Sequence, residues 1–367
     1  MRFYKEFILT SLCIGLMVLS GCTGGDDNPT APTTGGNPAP AGETPEFTLC
    51  VSEYPSWSAF IVADLEKVGI VQKVAAKHGI KINIKEMDYD ACITAYGTKT
   101  VDAVAITNTD ILSPALGRDS VAILPTSTSV GGDACLTVGI EGIDDLEGKT
   151  TYGLEKSVSE LAFYMILKKN GKDPAKYPFK NMDPQAAATA MQTEQEGIVS
   201  IMVWNPFVMS TLENREGSKN LFDSSQIPEV IIDQIVIGKD VLAKPGGEKF
   251  ATAICEIYYE LNKQLNDSAT GEQTLIAIGA KFSNLDFEAM QKVVAKDASD
   301  TGATRFYGTA DTGVALYEGE QFQKTTMPEV VAFLVDRGWI DAEPTVGFEQ
   351  DDAQLNFTTK YMKAASE

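Results

Sequence analysis

The chain has 367 residues, 44% of them hydrophobic, with 30 Lys and Arg against 51 Asp and Glu and a formal net charge of −21. That length allows a large buried core and predicts two lobes rather than one. An acidic surface repels phosphate backbones and anionic lipid, which argues against nucleic-acid partners and against a basic membrane-docking face.

The amino terminus stands apart from the rest. Arg2 and Lys5 precede an apolar run over 7–19, followed by Leu19-Ser20-Gly21-Cys22. This segment is identified as a bacterial lipoprotein signal, too short and wrongly flanked to span a membrane. The resemblance implies that residues 1–21 are removed and that Cys22 becomes a lipidated first residue. Losing Arg2, Lys5 and Glu6 removes a net +1 and takes −21 to −22. Gly, Pro, Thr and Asn dominate 22–45 and offer almost nothing to bury, so this stretch reads as a flexible tether. Nothing later approaches the roughly 20 apolar residues of a membrane span. Of six cysteines, Cys50, Cys92, Cys135 and Cys255 remain after Cys13 and Cys22 are set aside. Export permits disulfides among them, in three possible pairings. None has the close spacing of a metal knuckle, and Cys50 and Cys135 lie in apolar runs that read as core.

In chain order, a first strand over 47–51 ends at Ser52-Glu53-Tyr54-Pro55-Ser56-Trp57. A helical pattern follows, interrupted at Gly69 and stopped at Gly79. Alternation over 80–84 predicts a strand with one wet face. A short helix over 90–96 precedes the apolar run 101–106, a strand buried on both faces. That run meets Thr107-Asn108-Thr109-Asp110, which predicts a capped helix starting near 110. Strand, polar turn and helix start together mark the place where open α/β sheets hold ligands.

A strand over 121–125 leads through a polar, Gly-bearing stretch into another at 134–138, which reads as the crossover into a second lobe. There, strands at 150–153 and 198–204 alternate with helices beginning near Ser157, Pro184 and Phe207, and 230–236 reads as the strand crossing back. From 239 the pattern is helical, with apolar stripes over 250–265, 272–282, 287–298 and 328–337. The expected class is α/β: two Rossmann-like lobes joined by two hinge crossovers, near 126–133 and 234–240, with a helical C-terminal region. Lobe 1 comprises 46–128 plus 237–345, lobe 2 comprises 129–236, and 346–367 forms a C-terminal tail.

His78 is the only histidine, at the polar end of a helix, which nearly excludes a catalytic triad or histidine metal site. Gly148-Lys149-Thr150 has the wrong upstream spacing for a phosphate loop and precedes its strand rather than following one. The polar residues at strand ends are Glu53, Tyr54 and Trp57; Thr107, Asn108 and Asp110; Ser129, Gly131, Gly132 and Asp133; Ser157; Trp204 and Asn205; and Asp233. No Arg or Lys falls among them, whereas anion receptors usually present cations or dense N–H donors. Carboxylates accept hydrogen bonds, and aromatic faces attract cations or stack on flat groups. The set suits a small amine, amidine, urea or aminopyrimidine better than a sulfonate or nitrate.

VSEYPSWSAF (51–60), DAVAITNTD (102–110), SVGGD (129–133), DDLEGKT (144–150), VWNPF (203–207) and DSSQIPEVIID (223–233) together resemble type II periplasmic substrate-binding proteins of ABC importers. The nearer likeness is to the nitrate/sulfonate/taurine and thiamine-pyrimidine-like branch. SVGGD, VWNPF and DSSQIPEVIID are similar to binding proteins encoded beside urea- and guanidine-carboxylating enzymes, with Val130 where Asn is usual and no Gly after Pro228-Glu229. The resemblance implies a monomer without cofactor or metal that closes on a small solute and docks on an ABC permease. Tyr54, Trp57, Thr107, Asn108, Asp110, Ser129, Gly131, Asp133, Ser157, Trp204, Asn205 and Asp233 would face that solute. Two alternatives share the fold: an exported sensor domain, and a pyrimidine-synthesis enzyme that uses a site histidine and a cysteine-rich motif, neither evident here.

Overall fold

The computed structural model describes residues 43–296 and 300–367. The signal segment, Cys22 and nearly all of the expected tether lie outside the described residues. In chain order the strands are β1 (Glu46–Val51), β2 (Lys81–Glu86), β3 (Ala103–Thr107), β4 (Ser120–Ser129), β5 (Asp133–Val138), β6 (Thr151–Gly153) and β7 (Phe179–Asn181). There follow β8 (Ser200–Trp204), β9 (Ser218–Asp223), β10 (Ile232–Gly238), β11 (Val294–Ala295), β12 (Thr304–Phe306), β13 (Val346–Phe348) and β14 (Leu355–Phe357). They form two sheets. The larger runs β11-β12-β4-β10-β3-β1-β2, with β14 also on β4 and β13 on β14; the smaller runs β7-β6-β8-β5-β9.

Burial follows position in the sheet. β3 lies between β1 and β10 and is buried at all five residues, hence its unbroken apolar run. β2 ends the larger sheet, with Ile82 buried while Lys81 and Asn83 face solvent, hence its alternation. Helix α1 (Pro55–Asp64) starts with proline in its first turn, where no N–H is needed. α2 (Ile70–His78) ends at Gly79, whose φ of +67° is the left-handed conformation that glycine adopts without strain. α3 (Tyr89–Gly97) packs on β1 and β3.

Four expectations need correction. The helix near 110 is only α4 (Leu112–Ala115), and no side chain caps it. Thr107 Oγ1 instead accepts the Asp110 N–H at 3.0 Å, which uses the polar cluster to close the turn before the helix. The chain leaves the larger sheet at 130–132 and returns over 224–231, upstream of the expected 234–240. β10 is hydrogen-bonded on one edge to β3 and on the other to β4, so it has no free run in which to cross.

The second lobe carries α5 (Val158–Lys169), α6 (Pro184–Gln192) and α7 (Phe207–Asn214); after it come α8 (Lys239–Leu242), α9 (Gly247–Asn266) and α10 (Gly271–Lys281). The helix expected over 287–298 is α11 (Phe287–Val293), cut short because Val294 and Ala295 pair with β12. Gly302 permits that approach, since a Cβ there would stand 2.2 Å from the Val294 carbonyl carbon. α12 (Ala310–Glu318), α13 (Met327–Asp336) and α14 (Lys360–Ala365) complete the chain. Residues 346–367 are therefore no tail. β14 extends the larger sheet alongside Ser120–Ala122 of β4, and Tyr361 and Met362 of α14 are buried.

Candidate functional site

Register brings the strand ends together. Thr107, last in β3, stands opposite Asp233 of β10, and Asp233 in turn faces Ser127 of β4. In the smaller sheet Asp133, first in β5, stands opposite Trp204, last in β8. These ends meet at a cleft of about 690 Å³ between the sheets, lined by Glu53, Tyr54, Trp57, Thr107, Asp133, Trp204 and Asp233. Six of the twelve residues singled out from sequence thus share one cavity.

The other six are placed differently. Asn108 is consumed by the backbone of the returning segment: its amide donates to Val230 O at 3.0 Å and accepts from Ile232 N at 3.0 Å. Ser129 Oγ lies 2.7 Å from Ser224 Oγ, which also accepts the Gly131 N–H at 2.9 Å. Those two residues knit the two crossings to each other. Asp110 and Ser157 line an adjoining depression of about 490 Å³, which also holds Lys156. Ser157 caps α5 by accepting the Ser159 N–H. Asn205 is buried, its N–H on Gly132 O and its Oδ1 without a hydrogen-bond partner among the described residues.

Residues not singled out complete the lining, among them Glu86, Asp88, Tyr89, Asp90, Asp183 and Phe207. Tyr89 follows the end of β2 and Asp183 that of β7, so the strand-end criterion would have found both had it been applied to those strands. The Tyr89 ring stacks on Trp57 with centroids 5.5 Å apart, and the Tyr54 ring lies 5.0 Å from Trp57, tilted by 49°. The Tyr89 hydroxyl donates to Asp110 Oδ2 at 2.8 Å and accepts the Thr107 N–H at 3.1 Å. The Trp57 indole Nε1 and Asp110 Oδ1 have no hydrogen-bond partner among the described residues. Buried groups of this kind ordinarily find one.

Seven carboxylates line the cleft, those of Glu53, Glu86, Asp88, Asp90, Asp133, Asp183 and Asp233, and among the described residues no Lys, Arg or His does. Burial raises the Asp133 carboxyl to about 6, against a downward pull from the Ser129 hydroxyl. Burial raises Asp233 well above the usual range too, opposed by the Ser127 hydroxyl, which donates to it at 2.5 Å, and reinforced by the Asp133 charge. Asp110 is likewise raised to about 6, by burial first, with the Tyr89 hydroxyl opposing. The Asp110 charge raises Asp133, the Asp133 and Asp110 charges raise Asp233, and the Asp90 charge raises Asp110, so a cation placed among them would remove that repulsion. Such a lining accepts hydrogen bonds and presents aromatic faces. His78 lies elsewhere, 2.8 Å from Glu256.

The fold is that of the periplasmic binding proteins. The periplasmic aliphatic sulphonate binding protein of Escherichia coli superposes with a TM-score of 0.59 at 14% identity, covering 81% of this chain and 89% of that one. The alkanesulfonate-binding protein of Xanthomonas axonopodis pv. citri, bound to MOPS, gives 0.60 at 13%, covering 83% and 96%. A Candida albicans protein described as having the generic periplasmic binding protein fold gives 0.58 at 13%, covering 88% and 95%. No family model matches the sequence, and no curated protein matches it. Identities this low establish the shared architecture alone.

Proposed function

We propose that this chain is an extracytoplasmic solute-binding protein that captures a small, nitrogen-rich, neutral or cationic solute between its two sheets and delivers it to an ABC permease. The observation that carries this reading is the cleft lining: seven carboxylates and the rings of Tyr54, Trp57, Tyr89 and Trp204, without a basic side chain among the described residues. A sulfonate or nitrate brought there would meet acceptors where it needs donors. An amidinium, guanidinium, urea or aminopyrimidine presents N–H groups to the carboxylates and a flat face to the rings. The chain is held at the membrane through lipid on Cys22, and the candidates for ligand contact are the strand-end residues that line the cleft, Tyr54, Trp57, Thr107, Asp133, Trp204 and Asp233, with Tyr89 and Asp183 added.

A thermal-shift screen over urea, guanidine, polyamines, aminopyrimidines, taurine and nitrate tests the ligand class, because a ligand that binds only the folded state raises its melting point. Stabilisation by one of the nitrogen-rich donors is the expected result. Stabilisation by taurine or nitrate alone would return the protein to anion capture.

A further inference from the structure

Cys50 and Cys92 are separated by 42 residues, yet their sulfurs stand 2.8 Å apart. Cys50 lies in β1 and Cys92 in α3, and both side chains are fully buried. Cys92 Sγ also lies 3.6 Å from the Met87 carbonyl oxygen. Among the described residues no third Cys, His, Asp or Glu joins the pair as a metal-binding group. The other two cysteines among the described residues are isolated by comparison: Cys135 meets Ser200 Oγ at 3.5 Å, and Cys255 meets the Ile123 carbonyl at 3.6 Å.

We infer that Cys50 and Cys92 form a disulfide that fastens α3 to β1 and so fixes the aromatic wall of the cleft. A disulfide holds its sulfurs about 2.05 Å apart, so the existing approach needs a movement of less than about 1 Å. Tyr89 lies three residues before Cys92 on α3, so the two share a helix face. The cross-link would therefore anchor the helix that carries the ring stacked on Trp57 and the hydroxyl bonded to Asp110. The oxidant is another disulfide, such as oxidised glutathione. One cysteine thiolate attacks it and releases a thiolate, giving a mixed disulfide. The second cysteine then attacks the first cysteine's sulfur and expels the other thiolate. Two electrons pass to the oxidant, and the two cysteine protons pass to the released thiolates. Since both sulfurs are sealed from solvent once folded, the bond forms while the chain is folding.

The test is to unfold and refold the full chain in a mixture of reduced and oxidised glutathione. Accessible thiols are then blocked, the chain is unfolded and blocked again, and the unreduced peptides are mapped by mass spectrometry. A cross-linked pair containing Cys50 and Cys92 is expected, with Cys135 and Cys255 blocked as free thiols. Cys50 and Cys92 both recovered as blocked thiols would overturn the inference. A second measurement needs no peptide map. Unfolding and refolding in reductant should lower the wild-type melting point by several degrees, on the order of 5–10 °C. It should leave a Cys50→Ala, Cys92→Ala double variant unmoved, and an equal response from both would count against the bond. Neither readout involves a solute, so the outcome is independent of the ligand class proposed above.

Discussion

The carboxyl of Asp133 carries the plainest residue-scale consequence. It is 2% exposed and raised to about 6 when folded, against roughly 4 in an unfolded chain. Below about pH 4 it is protonated in both states and costs nothing. Between about 4 and 6 the unfolded chain ionises while the folded one keeps its proton, so stability is lost as pH rises through that window and levels off above it. A shift of about two units corresponds to roughly 3 kcal/mol. Asp133→Asn removes this penalty without changing side-chain shape. The variant's melting point, measured against wild type, should therefore gain from about pH 4 to pH 6 and level off above that. A constant difference across that range would show that burial does not hold the Asp133 carboxyl above its ordinary range. Asp240, Glu256 and Glu349 are shifted downward and act at lower pH, so they do not imitate the effect.

At the scale of elements, Asn108 belongs to the joint between β3 and the returning segment. Both ends of its amide are engaged by backbone, Val230 O and Ile232 N, and none of it lines the cleft. Asn108→Ala leaves a buried carbonyl and a buried N–H unpaired, at about 1–3 kcal/mol each. Denaturant unfolding should show that loss, while solute affinity of the folded variant stays near wild type. An affinity loss with unchanged stability would place Asn108 at the ligand instead. Much of this scale was legible in the sequence. The β3 run, the Gly69 and Gly79 breaks and the polar strand ends at Tyr54, Thr107, Asp133 and Trp204 all follow from short-range chemistry. Less legible were β7, β13 and β14, each three residues long and too short for a periodicity. Tyr89 and Asp183 were overlooked because an aromatic or an aspartate opening a helix looks like an ordinary cap until tertiary structure shows what faces it. For the same reason Asn108, Ser129 and Gly131 could not be told from ligand contacts: the Ser224 hydroxyl, 95 and 93 residues away, satisfies Ser129 and Gly131, and backbone 122 and 124 residues away satisfies Asn108.

For the whole molecule, two sheets are joined at 130–132 and 224–231 with a cleft between them, and the proposed capture of solute rests on hinge closure about those two crossings. Saturating solute should draw the lobes together and lower the radius of gyration in small-angle scattering; an unchanged radius with binding established would mean a rigid site. Attachment is tested separately, by Cys22→Ser, which should move the protein from the membrane pellet to the soluble fraction. A variant that stays in the pellet after a salt wash would contradict lipidation. The central claim is that the carboxylates of the cleft select the solute. Its most direct measurement is calorimetric titration of wild type and Asp133→Asn with the strongest nitrogen-rich ligand and with taurine. The account predicts saturable binding of the former and none of the latter. It also predicts that the variant loses about 2–5 kcal/mol of a buried, charged hydrogen bond, at least a roughly thirtyfold fall in affinity. Tight taurine binding, indifferent to Asp133→Asn, would contradict it.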